Sequence, residues 1–336
     1  MLDLSGCWGY RRRMGSAFTR MSAEEAYRTT IRQKASKWPD RASGRLEPVA
    51  KPALAPGFTL TPGSSVFTIG SCFARNIEIA LRDRGLRIPT LDMQLPEREL
   101  MKGTGLRTGI LNKYTPFSML NEVEQLARDD DGGRFLIEAG EDAWWDGQLH
   151  SHETVTRERG LQRRRRIRRL YAEAAAECAV VIVTLGLIEA WWDEAEQVYV
   201  NETVPRHIVE RHPGRFFFET LSVEKTIDAV QRLVSALHAL NPAQKMLLTV
   251  SPIPFQRSFS GSDAIVANAY SKAALRVAAE VAVRGFDHVD YFPSYETVTL
   301  SDRALSWEDD LVHVRPDMID LNVARMLAAY VPDAAA

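Results

Sequence analysis

At 336 residues, 45% hydrophobic and 26% charged, the chain has the size and balance of one large α/β domain, or of one domain with insertions and an N-terminal extension. A formal net charge of −2 excludes a general affinity for nucleic acid or anionic membranes, and no apolar run approaches the ~20 residues of a membrane span. Cys7, Cys72 and Cys178 are an odd, sparse set that argues for a reducing, cytoplasmic setting without disulfides, and Arg11-Arg12-Arg13 precede no apolar stretch of the kind a signal peptide needs.

Residues 1–50 read as an N-terminal extension or wrapping arm, weakly helical over 23–37; residues 51–336 read as a single domain. A proline-rich segment, 48–62, is expected to lie extended over that domain. Residues 66–69 then form a short apolar run that stops at Gly70. From Cys72 the spacing turns helical: Phe73, Ile77, Ala80 and Leu81 share a face, with Arg75, Glu78 and Arg82 off it. A buried strand turning at a glycine into a helix puts Ser71 and Cys72 at the helix N-terminus. Converging N–H groups and the helix dipole favour a thiolate or a developing oxyanion there. The plainer alternative is a serine cap followed by a small buried cysteine.

Residues 85–89 predict a second short strand, 100–116 a loop, 117–127 a helix, and 129–160 an insertion built around a hairpin with Trp144 and Trp145. Residues 161–178 predict a basic helix, whose arginines between 163 and 169 read as a solvated face in preference to an anion site. Residues 179–185 are apolar throughout, as in a parallel strand buried on both faces, and end at Gly186. A loop entering a helix is expected over 186–192, with Trp191 and Trp192 as core or lid, then an insertion over 193–220. There follow an amphipathic helix over 223–240, a strand over 245–250 ending at Ser251, an Ala-rich helix over 264–284, a strand over 289–292 and a helix over 316–330. His150 and His152 find no local carboxylate or cysteine to complete a ligand set, so neither metal nor cofactor is expected.

Apolar strands alternating with helices predict a doubly wound parallel sheet of about five strands, with ligands bound beyond the strands' carboxyl ends. Ser71, Cys72, Gly186, Glu189, Ser251 and Glu296 all fall just past strand ends. Asp310 and His313, three apart in a late loop, can hydrogen-bond so that the carboxylate orients the imidazole. Nucleophile first and Asp-x-x-His last is a triad order.

Gly70-Ser71-Cys72-Phe73-Ala74 spells out the signature of the GSCFA domain family. Thr184-Leu185-Gly186 with Trp191, the block 249–254, Tyr270-Ser271-Lys272, the block 291–296 and the block 310–313 resemble that family too. The family is similar to the SGNH, or GDSL-type, hydrolases. That resemblance implies a three-layer α/β/α, flavodoxin-like domain and an esterase-like, acyl-directed hydrolase with a small-molecule or glycan acyl substrate. It places the nucleophile on Cys72, with Ser71 as the runner-up, and the triad partners on His313 and Asp310. It places the oxyanion-hole glycine on Gly109, with Asn112 nearby as an amide donor. The hydrolases' Gly-x-Asn-Asp block falls on 186–189, where Ile188 cannot donate a side-chain hydrogen bond; one lost donor typically costs about 10²–10³ in rate. A cysteine thioester suits acyl transfer as well as hydrolysis, and the departure at Ile188 also fits a non-catalytic binding or scaffold protein.

Overall fold

The apolar runs do pair as parallel strands. The computed structural model describes residues 20–331 except 94–95, 97–98, 100–106, 129–130 and 152, so Cys7, Arg11 to Arg13 and His152 lie outside the described residues. The elements begin with α1 (Ala23–Arg32), β1 (Val66–Gly70), α2 (Cys72–Arg82), α3 (Pro116–Leu126), β2 (Leu136–Gly140) and β3 (Ala143–Asp146). Next come α4 (Arg157–Glu177), β4 (Val180–Leu185), β5 (Glu189–Asp193), β6 (Val198–Val200), α5 (Arg206–Arg211), β7 (Phe216–Thr220) and α6 (Val223–Leu240). The chain ends with β8 (Lys245–Val250), α7 (Ala264–Gly285), β9 (Val289–Tyr291), α8 (Ser294–Leu300), α9 (Arg303–Ser306) and α10 (Pro316–Tyr330).

The central sheet has the order β1-β4-β8-β9, all parallel. Phe67, Ile69, Val181, Val183, Met246 and Leu248 point to one side, into a core with α3, α4, α6 and α7. Val66, Val180, Ile182 and Leu247 point to the other, against α2 and α10. Helices therefore cover both faces, a three-layer α/β/α arrangement. The expected strand at 85–89 shrinks to one parallel bridge, Ser65↔Arg87, with Val66 N–H donating to Arg87 O at 2.8 Å. Pro89, without an N–H, opens a short 3₁₀ turn and ends the ladder. Counted with that bridge, the order is the flavodoxin-type 2-1-3-4-5; without it the sheet has four strands where about five are expected.

Three expectations need correction. The 186–192 segment does not lead into a helix: Glu189–Asp193 is the middle strand of an antiparallel sheet, with Trp191 opposite Val200 and Phe218. Cross-strand aromatic and β-branched pairs of this kind stabilise sheet. Arg75 and Glu78 are not solvent-facing; they form a fully buried ion pair at 2.7 Å that also holds Thr68 and Thr90. Arg163 and Arg164 are likewise buried rather than solvated, set against Glu99, Glu122 and Asp146.

The proline-rich segment crosses the outside. Ala50 N–H donates to Ser301 Oγ, Gly57 N–H to Asp290 Oδ2 and Leu60 N–H to Tyr330 O.

One buried network positions the site. Glu122 on α3 accepts from Lys113 Nζ at 2.6 Å and from Arg164 at 3.0 Å, while Lys113 Nζ also donates to Gln148 O. Lys113 N–H in turn donates to Gly70 O at 2.8 Å, so the 112–114 segment is fixed against the end of β1. Glu122→Ala takes the carboxylate from Lys113 and leaves Arg164 with Asp146 alone, and is expected to cost about 3 kcal/mol of stability. Urea unfolding measures it; a loss below about 1 kcal/mol would show that the network does not hold this segment.

Candidate active site

The register places the ends of β1, β4 and β8 side by side: Gly70 pairs with Thr184, which pairs with Thr249. Gly70 is required there by contact. A Cβ on it would stand 2.7 Å from Thr184 Cβ and 2.9 Å from Ala74 Cβ, so a larger residue would push α2 off β4. At Gly186 a Cβ would stand 2.6 Å from Tyr114 O, the carbonyl that receives Leu187 N–H at 2.7 Å.

Ser71 is the N-cap of α2 but makes no capping hydrogen bond, and its side chain is buried. Cys72 is a free cysteine and is only partly buried. Of the two candidate nucleophiles, Cys72 is the more exposed residue. Burial pushes the Cys72 thiol up, opposed by the N–H groups of Phe73 and Cys72, by the Lys272 charge and by the Ser71 hydroxyl. The first turn of α2 thus directs its unpaired N–H groups at Sγ.

Asn112 and Tyr114 share this edge. Asn112 Nδ2 donates to Tyr114 Oη at 3.3 Å, and Asn201 clamps the segment by donating to Asn112 O and accepting from Tyr114 N–H. The Tyr114 hydroxyl is pushed well up by burial, then by the charges of Glu202 and Cys72. Its ring meets His150 edge-on at 5.3 Å, and His150 Nδ1 lies 2.7 Å from Glu202 Oε2. Two buried polar atoms here, Asn112 Oδ1 and Thr184 Oγ1, have no hydrogen-bond partner among the described residues. Thr184 is the register partner of Gly70, and Asn112 precedes Lys113, whose N–H donates to Gly70 O. Gly109 is buried in the 3₁₀ turn before Asn112, its carbonyl accepting Asn112 N–H at 2.9 Å.

Lys272 on α7 joins this edge although the sequence pattern marks Tyr270-Ser271-Lys272 only as a family-like block. Its side chain is fully buried; Nζ donates to Gly186 O at 2.8 Å and to Ile253 O at 2.7 Å. Burial pushes it down to about 7, the Cys72 charge pulling the other way. The signal available in the sequence was a lysine on the apolar face shared by Leu275, Ala279 and Ala282. Ser251 helps aim this anchor: its Oγ accepts Ile253 N–H at 3.3 Å. Ile188 is buried in the core, and its N–H goes to Ser271 Oγ.

The remaining candidates have other partners. Glu189 accepts from Ser258 Oγ and Phe259 N–H, tying down the 258–260 loop. Glu296 accepts from Tyr291 Oη and Arg276 Nε. Asp310 and His313 meet as expected, Nδ1 to Oδ2 at 2.5 Å. The N–H and imidazole of His313 and the N–H of Val312 hold the Asp310 carboxyl down at about 2. This pair is about half-exposed, on a loop whose neighbours Trp307 and Val314 share a core with Phe73. His313 makes no hydrogen bond to Cys72 or Ser71; its side-chain partner is Asp310. Among the described residues, no group of His, Cys, Asp and Glu gathers as a metal site, and no helix is long and apolar enough to cross a membrane.

Fold and site together define a doubly wound α/β protein with a cysteine at the helix N-terminus that follows its first sheet strand. Residues 65–326 match the GSCFA family, and the chain belongs to it. No curated protein matches the chain.

The low Lys272 value makes stability depend on pH. An unfolded lysine titrates near 10.4, so between about pH 7 and 10 the unfolded chain holds a proton that the folded one lacks. Stability from this residue is complete above the unfolded value and is lost as pH falls toward 7. Wild type should therefore lose on the order of 2 kcal/mol relative to Lys272→Met between pH 9 and pH 7. Urea unfolding at both pH values tests it; a constant difference would contradict it.

Proposed function

We propose that the protein is an acyl-directed enzyme of the SGNH-like hydrolase type, cleaving an ester-linked acyl group from a small molecule or glycan through Cys72. The carrying observation is that Cys72 is only partly buried and its thiol is addressed by the N–H groups of Phe73 and Cys72, while Ser71 is buried. The thiolate attacks the carbonyl carbon, a C–S bond forms, and the carbonyl electron pair moves onto oxygen. Backbone N–H groups at the 71–73 turn and the Asn112 amide are the donors for that oxyanion. Collapse breaks the C–O bond, and the leaving oxygen takes a proton from the His313 imidazolium. Water then gives its proton to His313 and attacks the thioester, releasing the acid and restoring the thiolate. Asp310 holds the imidazole by Nδ1, leaving Nε2 to move the proton.

A second reading follows from the nucleophile being sulfur. A thioester passes readily to an incoming hydroxyl or amine, so the same site serves an acyltransferase. The sparse cysteines fit a reducing compartment under either reading.

Intact-mass analysis after incubation with a panel of activated acyl esters tests the proposal. An acyl adduct is expected on the Cys72 peptide. Cys72→Ser should lower turnover more than Ser71→Ala, Asn112→Ala should lower it about 10²-fold, and His313→Ala should let the acyl-enzyme accumulate. Absence of any adduct across the panel would leave a binding protein. An adduct on Ser71 would reassign the nucleophile.

A further inference from the structure

Two buried lysines differ in one respect. Lys113 has the Glu122 carboxylate at 2.6 Å, whereas Lys272 has two backbone carbonyls and no carboxylate. A fully buried ammonium without a counter-ion is expensive, and where one persists it is commonly functional. The anchors of Lys272 sit at the strand ends that flank Cys72. Gly186 lies two residues beyond Thr184, the register partner of Gly70, just as Cys72 lies two residues beyond Gly70. Adjacent strands run about 4.8 Å apart, so the carbonyl that grips Lys272 and the residue bearing the thiol leave the sheet as neighbours.

Hydrogen counting adds to this. A neutral amine has two hydrogens and one lone pair; an ammonium has three hydrogens. Gly186 O and Ile253 O take two hydrogens in either state, leaving one position of Nζ that holds a lone pair or a proton. Cys72 is the charge that this amine feels, and Lys272 is the cation that favours the Cys72 thiolate. The other titratable side chain coupled to Cys72 is Tyr114, with Glu202 and His150 beyond it.

We infer that Cys72 and Lys272 form a proton-sharing pair, thiol and amine on one side and thiolate and ammonium on the other, in which Lys272 is the base that activates the nucleophile. The inference rests on Cys72 being the nucleophile of the proposed reaction. The proton leaving sulfur becomes the third ammonium hydrogen, and the electron pair stays on sulfur for attack. His313, on the exposed loop, is left to serve the leaving group and the incoming water. The site thus has two bases with separate duties.

The test is the rate at which iodoacetamide alkylates Cys72 in the full-length protein, followed by peptide mass from pH 5 to 10. Wild type should show a rate that rises through neutral pH. Lys272→Met should react about 10²-fold more slowly at pH 7.5, with its rise displaced to higher pH. Lys272→Arg keeps a positive charge that does not titrate, so it should stay reactive but show one titration step where wild type shows two. An Arg variant whose pH profile matches wild type step for step would mean that charge alone matters and would overturn the shared proton. So would a Met variant with an unchanged profile. Should both variants fail to fold, Cys72→Ser carries the test: removing the thiol should lower the pH at which Lys272 titrates, read by NMR of ε-¹³C-labelled lysine. An unmoved titration there overturns the pair. None of these readouts needs a turned-over substrate, so loss of the acyl-enzyme reading and loss of this inference are separately visible.

Discussion

The site depends on a steric constraint, the close approach of the first turn of α2 to β4. With no Cβ at Gly70, the helix starts within two residues of the last ladder pair, and its unpaired N–H groups point past the sheet edge instead of into solvent. The same closeness leaves Gly70 O free to accept Lys113 N–H, which brings Asn112 and Tyr114 alongside Cys72. Gly186 repeats the device one strand over, lying under Tyr114 O. Two glycine contacts thus bring three chain segments to one edge, and the flavodoxin-type order makes that edge the crevice where the strand order reverses.

Buried charge then fixes what the backbone has gathered. The Glu122 cluster binds α3, α4 and the 112–114 segment, and the Arg75–Glu78 pair binds α2 to Thr68 of β1 and to Thr90. Both clusters pair their cations with carboxylates, so breaking one partner is costly while the whole contributes more to register than to net stability. Lys272 departs from that pattern. Among the described residues it is held by two backbone carbonyls, and the charge that acts on it is that of the Cys72 thiol. A residue serving only to join α7 to the strand ends would do so at lower cost as a neutral amide donor.

Much of this was legible in the sequence because it rests on local pattern. The continuous apolar runs at 180–185 and 245–250 and the amphipathic 223–240 helix lie where the spacing predicts. What escaped was non-local. Arg75, Glu78, Arg163 and Arg164 look solvated because a sequence shows a charge but not the carboxylate or hydroxyl that meets it across the fold. Glu189–Asp193 looks like a helix entry because its strand partners, Val198–Val200 and Phe216–Thr220, lie in what reads as an insertion. Cys72, Asp310 and His313 stand in blocks that resemble the family's, which is why the sequence offers them as candidates. Lys272 stood out only as a polar interruption of an apolar helix face, a pattern that marks a buried lysine without naming its partner.

The Asp310–His313 loop follows a different rule from the strand ends. Leu311 sits in the left-handed region at φ 57° with its side chain largely in water, so packing does not select the conformation. For a leucine this costs on the order of 1 kcal/mol. The offset comes from Asp310, whose Oδ1 accepts the N–H groups of Val312 and His313 at 2.9 Å each while Oδ2 takes the imidazole. The turn is therefore organised around the carboxylate, and its product is an imidazole of fixed orientation at the solvent edge. Burial raises the Cys72 thiol, so its ionisation depends on the N–H groups of the first turn of α2 and on the Lys272 charge, whereas the His313 imidazole stands where water enters. The proposed division of labour follows that contrast, with the buried lysine serving the thiol and the exposed histidine serving the leaving alcohol and the attacking water.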